Sequence, residues 1–191
     1  EVVDGKVRAI VPTNLSERRI NDLINARKPL IRNKLRLHAE HQPVKQKEYV
    51  SGECIIYLGK NYRLKLILNG TDQVKLRGGY FELGVSPNFQ TEERQAFVRK
   101  SLIEWYHAHA EKRLAEKTRR YAEILRVKPN TASVTEFKSR WGSCSPKGDI
   151  GYNWKIIIAP HNIIDYVVVH ELCHLIEHNH SPAYWKCVER I

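Results

Sequence analysis

Between residues 53 and 85 apolar and polar positions alternate in four bursts, CIIYLG, YRLKLILNG, QVKLRGG and YFELGV, separated by the turn signals LGKN, NGTD and RGGY. Period-two alternation marks strands with one buried face, and this run predicts a small antiparallel meander of three or four strands. On its N-terminal side, residues 6–11 read as a short strand stopped by Pro12. A helical period follows at Leu15, Ile20, Leu23 and Ile24, with Ser16 at the N-cap and Glu17 in the first turn. Pro29 is expected to kink or break that segment, and Ile31, Leu35 and Leu37 continue it. After a linker containing Pro87, a long helix starts at Thr91, with Glu92 and Glu93 at its positive end and Pro129 beyond its finish. Val98, Leu102, Trp105, Leu114, Thr118, Tyr121 and Leu125 trace its buried stripe. His107 and His109, two apart on it, point in different directions and are read as surface residues. Residues 133–144 and 149–159 predict two strands of a hairpin, with Pro146 in the turn. Pro160 ends the second strand, a helix follows, and Ser181-Pro182 opens a last one.

Composition narrows the class. With 42% hydrophobic residues in 191, the chain can bury a core of one ordinary domain, or of one domain and a small appendage. No apolar run reaches the ~18–20 residues of a membrane span. The opening EVVDGKVRAIVP lacks the basic-then-apolar pattern of a signal peptide, so a cytoplasmic protein without membrane partners is expected. Cys54, Cys144, Cys173 and Cys187 form no CxxC pair, which argues against both a disulfide framework and a zinc ribbon. The net charge of +11 favours anionic partners such as nucleic acid or a nucleotide. Nine Lys or Arg between residues 18 and 47 make the most basic segment, either a solvated helix face or a binding patch.

Chemistry concentrates near the C-terminus, where VVVHELCHLIEHNHS holds four of the nine histidines. His170-Glu171-Leu172-Cys173-His174 fits H-E-x-x-H. Residues four apart on a helix lie one turn along and close in projection, so both imidazoles can reach one ion. Glu171 can then meet a water on the metal's open side and act as its general base. His178 continues the step of four but would lie ~12 Å along a straight helix from His170, too far to share a tetrahedral ion. A third ligand must come from chain that has turned back. His180 fits, with Asn179 as a left-handed helix stop and Ser181-Pro182 starting the next helix. The interval from His170 to His180 is that of the metzincin pattern H-E-x-x-H-x-x-G-x-x-H, although Glu177 stands at the Gly position. His178 is left as a neighbour of the ligands, a substrate-facing residue or an exposed one.

With these residues in hand, the chain resembles the YgjP-like metallopeptidase family, a zincin-type group distantly related to the SprT and WLM proteases. The resemblance rests on RWGSCS, on Gly151, Asn153 and Trp154, on IDYVVVHELCHL and NHSPAYW, and on LGKNYRL and GGYFELGV. It implies an α+β zincin-like domain with the H-E-x-x-H helix and a small antiparallel sheet. Residues 1–90 would be an N-terminal helical and β-meander region, and residues 91–191 the zincin-like metallohydrolase core. It also implies Zn2+ held by His170, His174 and His180, a water on that zinc activated by Glu171, and a protein or peptide substrate. Similar proteins carry a further strand before DGKVRAIVP and a further helical stretch after NHSPAYW, so this chain is expected to be trimmed at both ends.

The RWGSCS segment reads either as a strand end with Trp141 as filler or as a site wall whose edge pairs with an extended peptide. Arg140 could neutralise an oxyanion or hold a carboxylate or phosphate; Tyr152, Asn153 and Tyr184 are further candidates for polarising a substrate carbonyl. Asp165 could orient a ligand, or simply sit near a helix N-terminus. Two rivals to a peptidase keep their place: hydrolysis of nucleoside triphosphates or another anionic small molecule at the same metal, and a nucleic-acid-associated metalloprotein.

Overall fold

The computed structural model describes residues 2–3, 6–12, 15–40 and 47–191, with side chains for residues 7–12, 15–36 and 47–191. The chain falls into two units, Glu1–Lys47 and Glu48–Ile191.

In the first unit, β1 (Val2–Val3) pairs antiparallel with β2 (Lys6–Val7). Two helices follow, α1 (Glu17–Ala26) and α2 (Lys28–Glu40). Of the strand expected over residues 6–11, only Lys6–Val7 is paired among the described residues. The helical break falls at Arg27, which puts Pro29 in the first turn of α2. Proline is tolerated there because its missing N–H would have no intrahelical acceptor anyway. Ser16 stands at the N-cap of α1 but makes no capping hydrogen bond through its side chain. The Leu37 side chain and residues 41–46, which include Lys45 of the basic segment, lie outside the described residues.

The second unit begins with β3 (Cys54–Tyr57), β4 (Lys60–Leu68), β5 (Lys75–Arg77) and β6 (Tyr80–Val85). They are not an antiparallel meander. Their order is β3-β4-β6-β5, and the central pair β4 and β6 runs parallel. Alternation shows that one face is buried but carries nothing about which strand is a neighbour, so the crossover through residues 69–74 left no trace in the pattern. Two tight turns were legible. Leu58-Gly59 joins β3 to β4 and Gly78-Gly79 joins β5 to β6, all four residues at positive φ, as two-residue hairpins demand. Gly59 is needed twice over, since a Cβ there would lie 2.7 Å from the Pro160 ring.

The long helix α3 (Thr91–Leu125) starts with a capping box between Gln90 and Glu93. It buries Val98, Leu102, Tyr106, Ala110, Leu114, Thr118, Tyr121 and Ala122. Tyr106 and Ala110 belong to the stripe, whereas Trp105 and Leu125 flank it half-buried. The same core takes in Ile55, Tyr57, Phe81 and Leu83 of the first sheet, which groups that sheet with the C-terminal half of the chain. His107 and His109 are half-buried, and His109 stacks on Trp105 at 3.6 Å.

A second sheet has the order β7-β9-β8, from β7 (Thr131–Thr135), β8 (Gly142–Cys144) and β9 (Asp149–Asn153). The predicted hairpin is β8 and β9, while β7 joins parallel to β9. Residues 154–158, read as strand from their apolar run, form a 3-10 helix instead. The Asn153 side chain accepts from the Lys155 N–H and ends the strand there, and Trp154, Ile156 and Ile157 are buried in the turn. A short apolar run cannot by period distinguish these outcomes. Beyond it, α4 (His161–Cys173) and α5 (Pro182–Glu189) carry the histidines. Among the described residues, no helix is long and apolar enough to cross a membrane.

Candidate metal centre

Helix α4 buries Ile164, Val167, Val168 and Leu172, and this face sets the rotation of the helix. His170 stands half-buried beside that face, while Glu171 is buried with it. The helix stops at Cys173, earlier than expected, and His174 is its C-cap at φ −66° and ψ −16°. The N–H groups of Leu175, Ile176 and Glu177 return to the carbonyls of Leu172 and Cys173, which closes the helix end in a tight turn. The reversal therefore happens before Asn179. That residue is absent from the positive-φ positions, so it is not the left-handed stop that its sequence context suggested. Stopping early shortens the path to His180, which the chain delivers beside the helix.

One ring nitrogen from each of His170, His174 and His180 lies within 4.8 Å of the others. The Nε2 atoms of His170 and His180 are 3.2 Å apart. Two nitrogens at metal bonds of ~2.0–2.1 Å in a tetrahedron stand about 3.3 Å apart, so this edge already has the size of a three-histidine site. His174 turns Nδ1 to the Glu177 carbonyl at 3.2 Å, which leaves Nε2 for an ion. Burial, and secondarily His174 and His180, push the His170 pKa down to about 4, and burial lowers that of His174. Neutral rings are what a divalent cation requires. The donor set fits a metal of the zinc type.

The NHSPAYW segment holds this cluster. Ser181 caps α5 by accepting the Tyr184 N–H, and Pro182 occupies its first turn. Tyr184, fully buried, stacks on His174 at 4.7 Å and donates its hydroxyl to the His170 carbonyl at 3.0 Å. Trp185 stacks on His180 at 5.8 Å. Nδ1 of His170 is buried without a hydrogen-bond partner among the described residues, so packing against Tyr184 and Tyr166 locates that ring. Tyr184→Phe is expected to cost about 1 kcal/mol, because it strands the His170 carbonyl at the helix end. The drop in denaturation midpoint measures it, and a shift in zinc affinity in the same variant reports how far the ring moves.

Glu171 is buried and lies under β8, with the Arg140 charge acting on it. Burial pushes its pKa up to about 7, and Arg140 pulls the other way. Arg140 itself is exposed, with its guanidinium 5.6 Å from the Phe137 ring. The other proposed substrate contacts are engaged elsewhere. Tyr152 is a core residue whose hydroxyl accepts from Thr118 at 3.0 Å. Asn153 is buried and donates to the carbonyls of Phe137 and Arg140 at 2.9 and 3.2 Å, pinning the loop ahead of β8. Asp165 pairs with Lys117 of α3, which makes it a fastening between helices. His178 is exposed beside Lys128, Lys147 and Leu175 in a separate polar depression, outside the three-histidine cluster.

The sequence offers RWGSCS as a site wall without singling out Gly142, and it does not single out Trp185 of NHSPAYW. A glycine that makes room for a side chain across the fold carries no local mark of its own.

The family description "YgjP-like, metallopeptidase domain" matches residues 1–191. A search among curated proteins returned no match. A solved structure, the metallopeptidase zymogen abylysin of Pyrococcus abyssi, is 21% identical, covering 41% of this chain and 78% of its own with a TM-score of 0.38.

Proposed function

The chain belongs to the YgjP-like metallopeptidase family, and from that premise we propose that His170, His174 and His180 hold zinc for the hydrolysis of peptide bonds. The family makes it a hydrolytic metalloenzyme that uses a divalent metal. The observation supporting zinc and these ligands is the convergence of three imidazole nitrogens with a buried carboxylate next to the first. Bound there, zinc supplies a Lewis acid that acidifies water and polarises a carbonyl.

The protein's own groups do the rest. Glu171 takes the proton from the attacking water as its oxygen bonds to the carbonyl carbon. The same carboxyl then gives that proton to the departing amine, so water is consumed and a carboxylate and an amine are left. Burial suits Glu171 to this traffic, because it weakens the preference for the charged form. Arg140, on the loop that Asn153 pins and with its charge acting on Glu171, would steady an oxyanion or a substrate carboxylate. Tyr152, Asn153 and Tyr184 act through packing and hydrogen bonds within the fold.

Turnover of an unstructured protein and of nucleoside triphosphates, side by side on the zinc-loaded chain, tests the substrate class. Cleavage of the polypeptide is expected; release of phosphate without it would replace the peptidase reading with the nucleotide one. Nucleic-acid docking through the basic residues 18–47 predicts binding that weakens steeply with salt, and salt-insensitive binding removes it. A cytoplasmic location is part of the same proposal.

A further inference from the structure

The segment RWGSC has no part in holding the metal, yet one of its residues touches the general base. A Cβ placed on Gly142 would lie 2.5 Å from Glu171 Oε1, 2.6 Å from its Cγ and 2.7 Å from its Cδ. The backbone of β8 at this point occupies the space directly over the carboxyl. Gly142 is not among the residues at positive φ, so its backbone conformation does not call for glycine. Clearance does. The strand cannot back away, because Gly142 is registered on Tyr152, Cys144 on Ile150, and the Asn153 N–H donates to the Trp141 carbonyl at 2.8 Å. Tyr152 and Ile150 are each 1% exposed, so the partner strand is anchored in the core. Asn153 adds its two bonds to Phe137 and Arg140, which fix the approach to β8 from the other side.

We propose that Gly142 is a positioning residue, the fixed stop against which the Glu171 carboxyl rests so that it meets the attacking water. This rests on Glu171 being the base, and it assigns the RWGSC segment a role in aiming that group. The three nearest atoms to an added methyl all belong to one flexible side chain, not to backbone. The fold can therefore accept alanine by moving Glu171, at a modest cost in stability, and the larger loss falls on catalysis. A displacement of about 1 Å in a reacting group costs on the order of 10²-fold in rate.

The test compares Gly142→Ala, Glu171→Ala and the double variant, each metal-stripped and zinc-loaded. In metal-stripped protein, Gly142→Ala should lower the thermal midpoint when Glu171 is present and leave it unchanged or higher in the Glu171→Ala background, where the methyl enters vacated space. Equal losses in both backgrounds, or failure of Gly142→Ala to fold in both, would overturn the inference. In zinc-loaded protein, Gly142→Ala should keep its zinc and its KM for a peptide while kcat falls roughly 10²-fold. An unchanged kcat also overturns it. Absence of any hydrolysis by the parent chain would instead sink the peptidase reading, and the metal-stripped midpoints still decide whether Gly142 positions the carboxyl.

Discussion

Glu171→Gln is expected to keep the metal and to lower kcat by roughly 10²–10⁴-fold, the range ascribed to a positioned general base. The amide has nearly the shape of the carboxyl and fits the same space under β8, so the three histidines are left undisturbed. It cannot accept the proton of the attacking water, and it has no acid form to hand to the amine. Zinc content by atomic spectroscopy should stay near one per chain while turnover of the polypeptide substrate collapses. Turnover close to that of the parent chain would remove Glu171 from the mechanism.

His180→Ala is expected to remove most of the zinc, and hydrolysis with it. The other two ligands sit on one helix end, where backbone geometry holds them whether or not an ion is present. His180 arrives from the far side of the turn and makes the 3.2 Å edge with His170. Without it, two nitrogens are left for an ion that ordinarily takes three from the protein in catalytic sites. The loss in affinity should exceed the roughly 10–100-fold that removal of an outer hydrogen-bond partner costs. Isothermal titration of zinc into metal-stripped protein measures it. His178→Ala serves as the control that leaves affinity unchanged, because that ring lies with Lys128 and Lys147 and not in the cluster. Full retention by His180→Ala together with loss in His178→Ala would exchange their roles.

Helix α3, its capping end and the starts of α4 and α5 were legible because helices are local objects. Period, caps and prolines act within a few residues of one another. The separation of His170 and His174 from His178 followed from the same helical arithmetic. Where the local code was ambiguous, the reading strayed. The run WKIIIA could be strand or turn, and only the Asn153 side chain closing on the Lys155 N–H settles it as a 3-10 helix. Residue preference points to Asn179 for the stop of α4, whereas the bonds of residues 175–177 close it at Cys173.

Tyr152, Asn153 and Tyr184 show a second limit. Each has a polar tip that could face a substrate, and residue type cannot say otherwise. Their partners, Thr118, the carbonyls of Phe137 and Arg140, and the His170 carbonyl, lie 34, 16, 13 and 14 residues away in the chain. A buried polar group must find such a partner, but the sequence does not name it.

By itself, then, the sequence determined the chemistry on offer: a helix end that offers two imidazoles within reach of each other, an acid beside them, and a third imidazole on returning chain. Those are consequences of spacing. The tertiary structure decided what surrounds that chemistry. The parallel pairing of β4 with β6, the core shared by the first sheet and α3, and the backbone of β8 resting on Glu171 join residues far apart along the chain. Such contacts arise from packing of whole faces, to which period and propensity are blind, and through them a histidine-rich helix becomes a shaped site.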